Sequence, residues 1–185
     1  MRVRGLLLAA GAGRRMGQPK ALVRDEDGTS WLLRAIASLR PCDGVTVVLG
    51  AGADEAARLL PLSVDLVIAP DWESGMGASL RAGIGGVSAD YDAVLVSLVD
   101  LPDVSSAVVA RVLGAGTGPG VLARAAYGGT PGHPVLLGRD HWAAATATAS
   151  GDRGARDYLT AAADAGDLTL VECGDLATGA DVDSR

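Results

Sequence analysis

Short apolar runs with β-branched content recur along this chain, separated by segments of helical periodicity, and that alternation restricts the fold more than any other feature of the sequence. Residues 3–8, 45–49, 64–68 and 93–99 read as strands. Between them, residues 29–39 place Trp31, Leu32, Ala35, Ile36 and Leu39 at helical spacing, after a turn at Asp25-Glu26-Asp27-Gly28. Residues 53–60 and 76–84 read as helices, the second starting after Gly75. Strands alternating with helices predict a three-layer α/β/α sandwich with a mostly parallel sheet.

The second half departs from strict alternation. After Pro102, residues 104–113 form a helix ending at Gly114. Two short strands, 121–124 and 134–137, flank a glycine-rich turn at 128–132, so one antiparallel element is expected. Helices at 139–147 and 153–163, a last strand at 168–172 and an acidic tail follow. With 185 residues and no repeat, long linker or low-complexity block, one domain spanning 1–185 is the simplest organisation.

A formal net charge of −6 argues against a nucleic-acid binder, which carries a basic face. It leaves room for a nucleotide, because phosphate needs only a few local cations and backbone N–H groups. Cys42 and Cys173 form no CxxC pair, so neither zinc nor a disulfide framework is supported and both thiols are expected reduced. The apolar run Leu6-Leu7-Leu8-Ala9-Ala10 is too short for a signal-peptide core, and no run reaches the length of a membrane span. A cytoplasmic protein with no membrane partner is expected.

The segment from Leu8 to Lys20, Leu-Ala-Ala-Gly-Ala-Gly-Arg-Arg-Met-Gly-Gln-Pro-Lys, follows the first strand directly. In open α/β sheets ligands bind beyond the carboxyl ends of the strands, where this loop must lie. Its glycines allow close backbone approach to phosphate, and Arg14, Arg15 and Lys20 add charge beside them. Gly11, Gly13 and Gly17 are one residue too widely spaced for the dinucleotide fingerprint, and Leu49-Gly50 stands where a ribose-binding acid would end strand two. The P-loop pattern fails as well, because no Ser or Thr follows Lys20. Asp100 closes the buried strand at the same sheet edge and suits Mg²⁺, which takes one or two carboxylates plus phosphate oxygens and water. The competing role for Asp100, an acid at the start of the next helix, is better filled by Asp103.

This loop closely resembles the nucleotidyltransferase pattern LxxGxxxRMGxxK. The segment Gly75-Met76-Gly77-Ala78-Ser79-Leu80, the Gly132-His133-Pro134-Val135 strand and the Gly151-Asp152-Arg153-Gly154-Ala155-Arg156 turn are similar to further segments of the molybdenum cofactor cytidylyltransferase branch of the MobA-like NTP transferases. The resemblance covers nearly the whole chain in order. It implies a fold like that of the nucleotide-diphospho-sugar transferases and transfer of CMP from CTP to molybdenum-bound molybdopterin. It assigns Leu8, Ala9, Ala10, Gly11, Gly13, Arg14, Lys20 and Ser79 to the nucleotide. Arg15, Lys20 and Asp100 become catalytic, and His133, Gly151, Asp152 and Gly154 contact the acceptor. Asp100 and Asp181 ligate Mg²⁺, although the tail lacks the family's following TPxD helix. A molybdoenzyme or cofactor chaperone is the implied partner. Ala10 favours CTP, because the guanylyl branch has LAGG where this chain has LAAG.

Helical spacing makes Met76 and Leu80 core residues, and His141 and Trp142 read as packing. His133 also fits a plain turn, and Arg153 and Arg156 also fit solvated charges. Three other functions stay open. One is a transferase of the same fold acting on a sugar phosphate or other phosphorylated acceptor. Another is a non-catalytic nucleotide-binding or cofactor-carrier protein. The third is an NAD-dependent oxidoreductase, which the loop spacing and the missing ribose acid disfavour.

Overall fold

Every residue of β1 (Val3–Ala9) is buried, and its side chains enter two cores by turns. Val3, Leu7 and Ala9 belong to one core and Leu6 and Leu8 to the other, as the two-residue period of a strand requires. The computed structural model describes residues 1–183; Ser184 and Arg185, the end of the acidic tail, lie outside the described residues. β2 (Val45–Leu49) and β4 (Ala93–Leu98) flank β1, both parallel to it, and β3 (Val64–Ile68) lies outside β2. Arg4 is the one charged residue within β1. Its guanidinium donates to Thr46 Oγ1 (2.8 Å), Tyr91 OH (3.0 Å) and the Val45 carbonyl (2.8 Å) and pairs with Asp65, so the buried charge is satisfied.

β5 (Leu122–Tyr127), β6 (Thr130–Gly138) and β7 (Thr169–Glu172) complete a seven-stranded sheet of order β3-β2-β1-β4-β6-β5-β7. β6 pairs antiparallel with both β4 and β5, and is the single reversed strand expected from the sequence. The hairpin is tighter than that expectation. Its strands are longer than 121–124 and 134–137, and only Gly128 and Gly129 turn, with φ of 57° and 80°. Two consecutive positive φ values are what a two-residue hairpin turn needs. Gly132 sits within β6, where an added Cβ would lie 2.8 Å from the Tyr127 ring.

On one face α1 (Trp31–Ser38), α2 (Ala53–Ala57) and α4 (Ser106–Leu113) cover the first core through Trp31, Leu32, Ala56, Val108, Val109 and Val112. On the other, α3 (Met76–Gly85), α5 (Trp142–Thr148) and α6 (Arg156–Ala165) cover the second through Leu80, Ile84, Ala145 and Leu159. Leu80 is thus core, as its spacing implied. Leu95 of β4 is fully buried, and truncating it to Ala costs about 2–5 kcal/mol.

Several helix boundaries differ from the sequence reading: α1 is trimmed at both ends, and α5 starts at Trp142 because Arg139–His141 form a 3₁₀ turn. α2 stops at Ala57, short of residue 60. α4 starts at Ser106, with Ser105 at its N-cap. Asp103 is not the acid of that helix start; it accepts from the Thr178 backbone N–H and hydroxyl, both at 2.6 Å. α6 starts at Arg156, because Gly154 (φ 52°, ψ −129°) leaves helical space; Gly151–Arg153 form a separate 3₁₀ turn. Among the described residues no helix is long and apolar enough to cross a membrane.

One pairing in the sheet, Leu8↔Leu98, decides where a site can form. It brings the ends of β1 and β4 level, so the loops after both open at one sheet edge.

Candidate active site

After β1 the chain turns sharply. Gly13 has φ 59°, and a Cβ there would lie 2.0 Å from the Gln18 carbonyl oxygen. Met16 N–H donates to the Gly13 carbonyl at 2.8 Å, and Arg14–Met16 and Lys20–Leu22 form two 3₁₀ turns. Gly11 is different. No atom lies within 4 Å of a Cβ built there, because the residue faces an open cleft of about 610 Å³. That volume suits a nucleotide-sized ligand. Leu8, Ala9, Ala10, Gly11, Gly13, Arg14, Arg15, Lys20 and Ser79 all line it, together with Asp100 and Asp181. Every residue expected at the nucleotide, and every expected catalytic and metal-binding residue, therefore shares one cleft.

Lys20 Nζ lies 2.6 Å from Asp100 Oδ2 and 2.7 Å from Asp183 Oδ1. Burial works against the ammonium, but the hydrogen bonds and charges of Asp100 and Asp183 outweigh it and raise the lysine pKa. Arg15 reaches Asp183 Oδ2 at 3.0 Å from the solvent side. The hydrogen bond from Lys20 holds the Asp183 carboxyl below its ordinary range.

The tail reaches this site along a defined path. Thr178 is tied to Asp103, and Gly179 (φ 67°) packs on the Tyr127 ring, where a Cβ would sit 2.0 Å from a ring carbon. Val182 N–H then donates to the Asp100 carbonyl at 3.0 Å. Asp100, Asp181 and Asp183 each present one oxygen within 4.8 Å of the others. Oxygens on opposite sides of one Mg²⁺ stand about 4.2 Å apart, so the cluster fits a small divalent cation. Asp100 Oδ1 gives a second sign of fit, being buried with no hydrogen-bond partner.

Asp183 is the site residue that sequence reasoning passed over. A signal was present: Asp181 and Asp183 stand two apart, and an extended segment points such residues to the same side.

The acceptor-side residues divide. Asp152 lines the cleft. Gly151 packs at the start of α3, where a Cβ on Gly75 would lie 2.5 Å from its carbonyl carbon. Gly77 meets Ser150 as closely, so glycines let backbone lie on backbone and fix the 151–153 turn over the cleft. His133 and Gly154 instead line a second cavity of about 100 Å³. Leu8, Met76 and Arg156 line both spaces, which makes them neighbours. Met76, read from its spacing as core, borders both.

Outside these spaces several polar groups are engaged locally. His141 contacts Tyr158 OH at 2.6 Å and the Gly120 carbonyl at 3.0 Å, and Trp142 Nε1 donates to the Leu137 carbonyl. Both are packing residues, as expected. Arg153 pairs with Asp157 at the surface (3.3 Å). Both cysteines are free, and burial pushes the Cys42 thiol up to about 12, which leaves it protonated.

Residues 5–166 match the MobA-like NTP transferase domain. The chain is 37% identical over 199 aligned positions to the nicotine blue oxidoreductase of Paenarthrobacter nicotinovorans, covering 98% of this chain and 92% of that one. It is 34% identical over 152 positions to the molybdenum cofactor guanylyltransferase of Rhodobacter capsulatus, covering 78% and 68%. Among solved structures, the manganese complex of Rv0371c from Mycobacterium tuberculosis superposes with a TM-score of 0.75 at 25% identity, covering 98% and 94%.

Proposed function

The chain belongs to the MobA-like NTP transferase family, and we propose that it transfers CMP from CTP to molybdenum-bound molybdopterin, releasing pyrophosphate. By family it is a nucleotidyltransferase that takes a nucleoside triphosphate and an acceptor. The observation that carries the reading is the convergence of Lys20, Asp100, Asp181 and Asp183 beside the glycine loop. No protein nucleophile is required, because the acceptor phosphate attacks the α-phosphorus in line and pyrophosphate leaves. The protein contributes position and charge.

In this reading the N–H groups around Gly11 and Gly13, with Arg14, Arg15 and Lys20, hold the triphosphate. Asp100, Asp181 and Asp183 hold Mg²⁺, which when bound polarises the phosphoryl oxygens. The manganese in the mycobacterial structure supports a divalent ion in this fold. Lys20 now neutralises the carboxylates; with an ion there, its ammonium is free to turn to the phosphates. Asp152 and the cavity at His133 and Gly154 receive the acceptor, with Gly151 fixing the turn above it. Residues 1–185 act as one domain, and delivery of the product to a molybdoenzyme or its chaperone belongs to the same reading.

CTP is favoured on one methyl group. Ala10 is buried beside the cleft, and in this reading its methyl group narrows the space for a base. The Rhodobacter relative is named for guanylyl transfer, so the donor base is the first thing to measure. The protein is incubated with Mg²⁺, each NTP, and acceptors that include molybdenum-bound molybdopterin and sugar phosphates, and pyrophosphate is assayed. Turnover with CTP and the pterin is expected. Turnover with a sugar phosphate alone replaces the acceptor, turnover with GTP alone replaces the base, and binding without pyrophosphate leaves a carrier.

The Paenarthrobacter relative, similar across almost the whole chain and named an oxidoreductase, favours a second reading: an NAD-dependent oxidoreductase. The same tubes supplemented with NADH and with nicotine blue as the hydride acceptor, the compound in that relative's name, decide it. NADH oxidation without pyrophosphate release displaces the transferase reading.

A further inference from the structure

The small cavity beside the cleft has a composition that the transfer chemistry does not account for. Its floor is apolar, from Leu80, Val96 and Leu137, yet two guanidinium groups, Arg124 of β5 and Arg156 at the start of α6, border it. Arg124 Nε donates to the Gly132 carbonyl at 3.1 Å, which orients the group. Among the described residues no carboxylate pairs with either arginine. Nor, among the described residues, does an acid line the cavity. Arg124 is half-buried, and burial together with the Arg156 charge depresses its pKa. Burial and the two arginines push the His133 pKa down to about 4, so the imidazole is neutral and keeps one N–H to donate. Arg156 is exposed and Arg124 half-buried, so a like charge stands beside a partly desolvated guanidinium, an arrangement that a counter-charge stabilises.

We propose that this cavity binds an anionic group without hydrogen-bond donors, carried on a small apolar body, with Arg124 and Arg156 as its counter-charges. Neither the site nor its test depends on the transferase reading. Arg156 borders both spaces and Arg124 only the inner one, so a single molecule can run from Asp100 past Arg156 to Arg124. Planar guanidinium groups suit paired hydrogen bonds to an oxyanion, and the aliphatic floor suits the body behind it. A neutral ligand of the same shape gains the floor and loses the charge.

Benzenesulfonate and methyl phenyl sulfone are the probes, because they share ring and tetrahedral sulfur and differ in charge. The chain has two histidines, so ring resonances report the site directly by NMR. Benzenesulfonate is expected to move the His133 signals and leave those of His141, which is tied to Tyr158 and Gly120. The sulfone should bind roughly tenfold more weakly. Arg124→Gln should lower sulfonate affinity about tenfold while MgCTP still binds in the cleft. Equal affinity for the two probes, unmoved His133 signals, or full sulfonate affinity in Arg124→Gln each overturns the proposal. If that variant does not fold, the comparison of probes on the wild type decides alone. None of these measurements needs turnover. Sulfonate binding without pyrophosphate release would remove the transferase reading and keep the site, and the opposite pair of results would do the reverse.

Discussion

The Lys20 ammonium and the Asp100 carboxylate, 80 residues apart in the chain, stand 2.6 Å apart with both side chains largely buried. The contact joins the loop after β1 to the end of β4 and sets the geometry on which the transferase reading depends. Asp100→Asn keeps the shape and removes the charge. It is expected to lower pyrophosphate release by roughly 100-fold or more, with a much smaller loss of nucleotide affinity. Pre-steady-state turnover alongside nucleotide titration checks the split, and wild-type rates would remove Asp100 from the metal set.

Gly11 and Gly13 should separate stability from binding. Gly13→Ala meets both a positive φ and the Gln18 carbonyl, so it should cost about 2 kcal/mol or more in denaturant unfolding. Gly11→Ala has room in the folded chain, and its stability should stay within about 0.5 kcal/mol of wild type. Its methyl projects where phosphate would approach, so triphosphate affinity should fall about tenfold.

Gly179→Ala tests the tail. The substitution strains a φ of 67° and forces the chain off the Tyr127 ring. Mn²⁺ affinity, read by isothermal titration, should weaken about tenfold because Asp181 and Asp183 lose their approach. The main unfolding transition should move little. Unchanged Mn²⁺ binding would show that Asp100 holds the ion without the tail.

Ala10→Gly removes the methyl beside the cleft. It should relax the preference for CTP over GTP and destabilise the fold by about 1 kcal/mol, from lost burial and added chain entropy. Relative kcat/KM for the two donors is the readout. No change in that ratio would dismiss Ala10 as the selector.

His133 gives a pH signature. Its folded pKa of about 4 lies below the ordinary 6.5, so between these values the unfolded chain binds more protons than the folded one. The stabilising effect of keeping the imidazole neutral is complete above pH 6.5 and is lost progressively as pH falls toward 4. Denaturant unfolding of wild type should weaken across that window more steeply than that of His133→Gln. Parallel curves would place His133 in contact with solvent.

Much of the fold was legible because β1, β2 and β4 are buried on both faces and so read as apolar runs. The glycine loop was legible because its constraint is local: Gly13 must turn, and Lys20 must follow at fixed distance. Asp103 misled, since an acid before a helix looks like a cap; only a contact with Thr178, 75 residues away, shows its partner. Asp183 escaped notice for the same reason, because its bond to Lys20 spans 163 positions. Arg124 looked like any polar residue on a short strand. Its setting depends on β6 and α6 closing over it, which no local pattern encodes.

The reversal of β6 has an evolutionary reach. A seventh co-directional strand would present its finish at the catalytic rim; β6 presents its beginning, so His133 stands in the inner cavity beside that rim, shortly after the Gly128–Gly129 hairpin. In the transferase reading donor handling belongs to the loops after β1 and β4, while Arg124, His133, Val135 and Leu137 of the inner cavity come from a hairpin that can be lengthened or rewritten alone. The hairpin's share of that cavity is thus open to change through a short contiguous run of codons.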